Sequence, residues 1–393
     1  MSILFISSLV PDNPNYWSSA FTRSGQNVVR GIACSLREHV ANVELVSCKP
    51  LPSFPKGPLF IKSGSDVLDD GQNIHFLPTI NLLFLKNIVW GVSALLYILK
   101  WSRKHPNKSR TVLVYNIYVP LISSLYRACK LTKSKLYAIL YDLGVPPATL
   151  NLSVIKMFGY KQYEKLAHKF IPKLDGRIVI NENIVKEYAP SCDYILIDGG
   201  VNDIFIKTLF PLRISDNNTV TYVLAGMLWE QNGTRILLEA IKLKPYLNLK
   251  VIFAGQGNDV PLIIETSKND PRVEYVGMLS IDELMKYYEQ ADILLNLRVE
   301  EDNDMHFPSK LLEYMSVGKW VISTPVAHAP RDYGNYLDIL YDYTPEGLAQ
   351  KMEELSCLSK KQMYDFGMQA RNYILRYRTW DTRTKEIIQY INK

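Results

Sequence analysis

The sequence predicts an α/β protein built from two tandem, Rossmann-like doubly wound domains facing a cleft. Three observations lead there. At 393 residues the chain exceeds what one core usually organises and suits two domains of ordinary size. Short, nearly continuous aliphatic runs alternate with helix-length amphipathic stretches, the pattern of a parallel sheet covered on both faces. That alternation pauses at a polar stretch near the middle and then starts again.

In chain order, "ILFIS" (3–7), "VELVS" (43–47), "TVLVYN" (111–116), "KLYAILYDL" (135–143), "GRIVI" (176–180) and "DYILI" (193–197) are strand-like. Helical stretches at 26–38, 82–101, 119–131 and 151–169 fall between them. "DGGVNDIF" (198–205) and "RISDNNT" (213–219) mark the boundary, after which "VTYVLAG", "KVIFAG", "VEYVG", "ADILLNL" and "KWVIST" supply a second strand series. In "SIDE" (280–283), Ser280 and Glu283 have capping-box spacing and open a helix running to Gln290. From Gln350 to Lys393 the pattern is helical, with a break near "YRTWDT". The expected divisions are 1–203, 204–370 and a final helix, 371–393, that returns to the first domain. Ligands of doubly wound sheets bind beyond the carboxyl ends of the strands, so the loops that follow strands carry the functional argument.

Composition is that of a globular chain, with 47% hydrophobic and 21% charged residues. Its five cysteines (Cys34, Cys48, Cys129, Cys192, Cys357) are widely spaced and form no C-x-x-C pair, so neither a disulfide framework nor a zinc cluster is expected. The opening "MSILFISSLVPDNPNYW" has no charged n-region and only a strand-length apolar run; it does not read as a signal peptide, and a cytoplasmic location is expected. Charge is uneven: residues 1–203 hold 23 Lys and Arg against 14 Asp and Glu, and the remainder 22 against 25. "NIVWGVSALLYIL" (87–99) is followed by Lys100, Arg103, Lys104, Lys108 and Arg110 with no acid among them. Nucleic acid, a membrane surface or a phosphate would each suit that charge. The apolar run is too short to span a bilayer, which leaves a buried core helix or an interfacial one.

Two stretches hold candidate site residues. The loop after the first strand ends at Ser24 and Gly25, just before a helix, where a glycine allows an anion to approach the helix amides. No dinucleotide or P-loop fingerprint is present there. The second stretch, "HFPSKLLEYMSVGKW" (306–320), places Leu311, Leu312 and Met315 on one helical face, with Gly318 as its stop. Lys310 and Glu313 occupy the other face. The ion pair of a solvated helix is one reading, but a cation in the first turn opposes the helix dipole by about 0.3–1 kcal/mol. A bound diphosphate at the helix start removes the conflict, with Glu313 one turn deeper to accept hydrogen bonds from sugar hydroxyls.

"ADILLNLR" followed by "HFPSKLLEYMSVGKWVIST" resembles the donor-binding segment of family 4 retaining glycosyltransferases, which have the two-domain GT-B fold. Further likenesses run along most of the chain. "YVLAGMLWEQNGTRILLEAI" resembles the opening of that family's C-terminal domain, "FAGQGND" its second glycine turn, "LIDGGVNDIF" its interdomain linker, and "ARNYILRYRTWDTRTKEII" its tail helix. Within the family, the chain looks most like bacterial enzymes of capsular, exopolysaccharide or lipopolysaccharide synthesis.

The resemblance implies an acceptor-binding first domain, a second domain that binds a UDP- or GDP-linked sugar, and transfer with retention and without metal. Glu313 matches the second glutamate of the E-x7-E motif, which binds the nucleotide ribose; Ser309 and Lys310 would lie at the diphosphate. Phe307 and Pro308 would help shape the donor pocket, Gly25 would approach the donor phosphates, and Gly226 and Leu311 are further donor-binding positions. Arg298, ending "LLNLR", is implied as a second phosphate ligand and, with Lys310, as a catalytic cation. Asp142, at a strand end, is the candidate base. The expected acceptor is a glycan or a polyprenyl-linked glycan at the inner face of the cell membrane, approached through residues 82–110, with no nucleic acid partner.

There are departures from the family pattern. Met305 stands where the first glutamate of E-x7-E would fall, and Met227 and Asn232 where an arginine and a lysine would. Asn116 and Tyr118 occupy the loop of the family histidine. The acidic "EEDND" (300–304) contains a D-x-D pattern but lies in the wrong domain for a glycosyltransferase metal site, and none is expected. A nucleotide-sugar epimerase, a phosphorylase and a non-catalytic nucleotide-sugar-binding partner stay open as alternatives.

Overall fold

The computed structural model describes residues 1–393 except 18–19, 21, 84, 107–108, 117–120, 142, 144–153, 212–213, 215–217 and 300–306; the side chains of 23–24, 154–156, 204 and 309 are also left aside. Two compact units result: Met1–Gly200 together with Trp380–Lys393, and Val201–Thr379.

The first unit runs β1 (Ser2–Ser7), α1 (Arg23–His39), β2 (Val43–Ser47), β3 (Phe60–Ile61), β4 (Gly64–Val67), β5 (Asn73–Phe76), β6 (Thr79–Ile80), α2 (Leu85–Lys104), β7 (Arg110–Tyr115), α3 (Leu121–Thr132), β8 (Lys135–Leu140), α4 (Val154–Phe170), β9 (Gly176–Val179), α5 (Asn183–Tyr188) and β10 (Ile195–Leu196). Its main sheet has the order β10-β9-β8-β7-β1-β2-β5-β4, parallel except for β4, which runs antiparallel to β5 at the edge. β1 lies inside, with Ile3 opposite both Val43 and Thr111, and all six of its residues are buried. A strand covered on both faces must be apolar on both, which is why it shows no alternation.

Right-handed crossovers put α2, α3 and α4 on one face of this sheet and α1 on the other. α2 buries Trp90, Gly91, Ala94, Ile98 and Trp101. At Gly91 a side chain would press on Ser124 of α3. The run read as either buried or interfacial is therefore buried along one side only: Ile88, Val92 and Leu96 are 50%, 53% and 59% exposed.

The second unit contains α6 (Asp203–Lys207), β11 (Val220–Met227), α7 (Thr234–Leu243), β12 (Leu249–Gln256), α8 (Val260–Asn269), β13 (Val273–Gly277), α9 (Ile281–Gln290), β14 (Ile293–Asn296), α10 (Ser309–Val317), β15 (Trp320–Ser323), α11 (Ala329–Tyr333), β16 (Asp338–Ile339), α12 (Pro345–Ser356) and α13 (Lys360–Tyr377). The parallel sheet order β13-β12-β11-β14-β15-β16 reverses direction between β11 and β14. Loops leaving those two strands flank the switch point where doubly wound sheets bind ligands. Its core joins Tyr222, Val251, Phe253, Ile293 and Ile322 of the sheet to Leu237 and Ile241 of α7. The capping box at Ser280 and Glu283 forms as expected and starts α9.

The chain ends in α14 (Trp380–Ile391), which packs on α1 as part of the first unit. Buried Arg383 fastens it there: its guanidinium donates to the Leu196 carbonyl (3.0 Å), to Asp198 (3.2 Å) and to Glu386 (2.8 Å).

Candidate functional site

The site grows from the carboxyl end of β11. Ala225 and Gly226, just before the last residue of that strand, lie opposite Ala254 and Gly255 of β12. Both glycines have left-handed backbones, φ +123° at Gly226 and +135° at Gly255. A Cβ at Gly255 would overlap the Gly226 carbonyl, so only glycine lets the two strand ends lie this close. The chain past β12 stays tied to the chain past β11: Leu228 donates its amide to the Gln256 carbonyl (2.8 Å), and Asp259 its amide to the Leu228 carbonyl (3.1 Å).

α10 aims its first turn at this strand end. Pro308 is the N-cap, and the Leu311 amide already donates to the Pro308 carbonyl at 2.9 Å. By helix geometry the Ser309 and Lys310 amides have no intrahelical acceptor. Lys310 extends its ammonium to the Ala225 carbonyl at 2.8 Å, and a Cβ on Gly226 would occupy the place that this ammonium takes. The same carbonyl accepts the Tyr314 hydroxyl at 3.0 Å. Lys310 thus lies against β11 and makes no ion pair with Glu313, which replaces the solvated-helix reading.

Burial shifts the protonation equilibria of Lys310 and Glu313 in opposite directions. Burial lowers the pKa of Lys310 below the ordinary lysine range, with only partial compensation from Glu313. Burial likewise raises that of Glu313, against the pull of Lys310. A single carbonyl is weak compensation for a desolvated ammonium, whereas a phosphate oxygen would satisfy it. Glu313 itself is half-buried, and none of its carboxylate's hydrogen bonds is with a described residue.

The other expected residues are placed less uniformly. Leu311 is fully buried and acts as a packing residue of α10. Phe307, just before α10, is also buried, its ring stacked on His328 (4.8 Å between centroids, 17° between planes). Arg298 lies two residues past β14, across the switch point from β11. Its amide donates to Thr324 Oγ1 (2.9 Å), and the Val299 amide donates to the Gln231 carbonyl (2.9 Å), which pins this loop to the one leaving β11. No described residue pairs with the Arg298 guanidinium. Met227 is 42% exposed, and Asn232 donates to the Met227 carbonyl (2.7 Å), so neither supplies a cation.

Gly25 belongs to the first unit and is already inside α1, whose helix begins at Arg23. The expected loop position is corrected: Thr22 is the N-cap, and Gly25 leaves room for the Thr22 hydroxyl in the first turn. Gln26, next to it, holds the loop after β1 by donating to the Ser8 carbonyl (2.7 Å) and accepting the Val10 amide (3.1 Å). Asn116 sits at the end of β7 with φ +55° and accepts the Tyr141 amide (2.9 Å). Asp142, Tyr118, Met305 and the acidic stretch 300–304 lie outside the described residues.

Residues 219–357 match the family described as glycosyl transferases group 1. No curated protein matches the chain. Among solved structures, a glycosyltransferase from Rickettsia africae is 15% identical with a TM-score of 0.68, covering 99% of this chain and 97% of its own. Sucrose-phosphate synthase from Thermosynechococcus elongatus is 12% identical with a TM-score of 0.64, covering 100% of this chain and 98% of its own. HepE from Anabaena in complex with UDP is 12% identical with a TM-score of 0.62, covering both chains fully. The chain has the GT-B fold. Within it, the group 1 match spans β11 through α12, and so contains Gly226, Arg298, Lys310 and Glu313.

Proposed function

We propose that this GT-B chain is a glycosyltransferase that moves a sugar from a nucleotide-sugar donor to a glycan acceptor. One observation carries the reading: a desolvated lysine ammonium is housed by a glycine at the switch point of a segment that matches group 1 glycosyltransferases, and a donor diphosphate there would supply its counter-charge. The neighbour solved with UDP supports a uridine nucleotide as the first donor to try.

In such a transfer the bond from the anomeric carbon to the diphosphate oxygen breaks, and the leaving group gains negative charge. Lys310, the amides of the first α10 turn that lack an intrahelical acceptor, and Arg298 stabilise that charge, an effect that depends on cations fixed before the reaction begins. The acceptor hydroxyl forms the new bond on the face the diphosphate leaves, and its proton passes to a phosphate oxygen. Configuration is retained, and no metal is needed where lysine and arginine hold the phosphates. Glu313 accepts hydrogen bonds from the ribose; with the phosphate taking the acceptor proton, this path does not call on Asp142 as a base.

The likeness to family 4 enzymes of bacterial surface polysaccharide synthesis supports a lipid-linked acceptor at the inner face of the membrane. Incubating the protein with UDP, GDP, ADP and CMP sugars, with and without polyprenyl-linked glycans, tests the proposal by thermal shift, donor hydrolysis and product mass. Donor-dependent glycan extension is expected. Interconversion of nucleotide sugars without transfer would identify an epimerase, and binding without turnover would identify a non-catalytic partner; either outcome overturns the proposal.

A further inference from the structure

The exposed side of α2 has no role in the donor chemistry. Leu85, Ile88, Val92 and Leu96 are all exposed and recur at intervals of three and four, which places them within about 80° of one another around the helix. Leu82 and Leu83, also exposed, extend the patch before the first turn. The stripe runs about 16 Å along the helix axis and continues into Lys100, Arg103 and Lys104, all exposed at the far end. The opposite side of α2 is packed on α3, with Gly91 against Ser124, so the stripe is the outer face of a helix already docked.

We propose that this face of α2 docks on an anionic lipid bilayer, lying in the plane of its surface. A helix with one apolar side, cations at its end and its other side fixed to a protein suits insertion at the level of lipid headgroups. No described helix is long and apolar enough to cross a membrane, which agrees with lying on the surface. Charge selects lipid over other occupants. Residues 71–141 contain ten Lys and Arg and no Asp or Glu. Two copies meeting through this face would set like charges against one another, since the acid nearest the basic end, Glu44, is already engaged by Tyr97 (3.1 Å) and His105 (3.4 Å) of the same copy. An anionic headgroup layer supplies that counter-charge beside apolar chains for the stripe.

Binding is read without turnover, so the inference stands or falls separately from the transferase reading. Sedimentation of the full chain with vesicles of phosphatidylcholine alone, or mixed with phosphatidylglycerol, tests it. The wild type should bind the mixed vesicles at least tenfold more tightly than the neutral ones, and lose affinity as salt rises. Two variants, Ile88→Ser/Val92→Ser/Leu96→Ser and Lys100→Gln/Arg103→Gln/Lys104→Gln, should each weaken binding at least tenfold, with thermal midpoint and UDP affinity unchanged. Absence of wild-type binding to mixed vesicles, or variants that bind equally well, would overturn the proposal. So would an apolar-stripe variant that converts a wild-type dimer to a monomer by light scattering, which would make the face a contact between copies.

Discussion

Replacing Gly226 by alanine perturbs the site at one atom. The new Cβ would lie where the Lys310 ammonium sits, on a backbone with φ +123° that L side chains rarely adopt. Two effects follow. Backbone strain of this kind costs about 1–3 kcal/mol of stability. The ammonium, as the end of a flexible chain, moves off the Ala225 carbonyl, and misplacement of a charge-stabilising group by about 1 Å can lower turnover on the order of 100-fold. Urea unfolding would measure the first effect, and kcat/KM for donor hydrolysis or transfer the second. A double-mutant cycle separates them: if Gly226 acts by housing Lys310, then Gly226→Ala in a Lys310→Met background costs stability but little further activity, with a coupling of about 1 kcal/mol or more. Additive losses of activity, or full activity in Gly226→Ala, would refute the reasoning.

Two further outcomes are expected. Because burial lowers the Lys310 pKa, donor binding must keep or recruit the proton on its ammonium, so UDP affinity should fall as pH rises through that lowered pKa, below the ordinary lysine range. Titration calorimetry across pH would show this limb, and Lys310→Arg should remove it. Separately, Arg383→Ala should destabilise the first unit by about 3 kcal/mol, since it strips α14 of its buried link to Asp198; chemical denaturation measures the change.

The strands were legible in the sequence where they are buried on both faces, since their apolar runs need no periodicity to be seen. β1, β2, β11 and β15 emerge close to their expected limits. The region 60–80 was not legible: β4 is mostly exposed, and β3 and β6 have two residues each, too few to form a pattern. "KLYAILYDL" overreached because Tyr141 and Leu143 extend the apolar pattern past Leu140, where strand pairing stops. At the site, the sequence exposed the electrostatic conflict of Lys310 but not its resolution. The acceptor carbonyl of Ala225 is 85 residues away, and Tyr314 reaches it across 89, contacts that local spacing does not reveal. One signal was available: "LAGM" and "FAGQ" end two strands in the same Ala-Gly pair, and those glycines prove to be opposite one another. Phe307 and Leu311 are both buried, Phe307 against His328 and Tyr333, contacts that local spacing does not reveal either.

The central claim is that Lys310 serves a diphosphate, and its most direct test compares UDP with uridine on the wild type and on Lys310→Met. Tyr314 continues to satisfy the Ala225 carbonyl in the variant, so folding should change by only about 1 kcal/mol. A charge-assisted hydrogen bond to phosphate is worth about 1.5–3 kcal/mol, so UDP affinity should fall roughly 10- to 150-fold while uridine affinity holds. Equal loss for UDP and uridine, or no loss for either, would contradict the account.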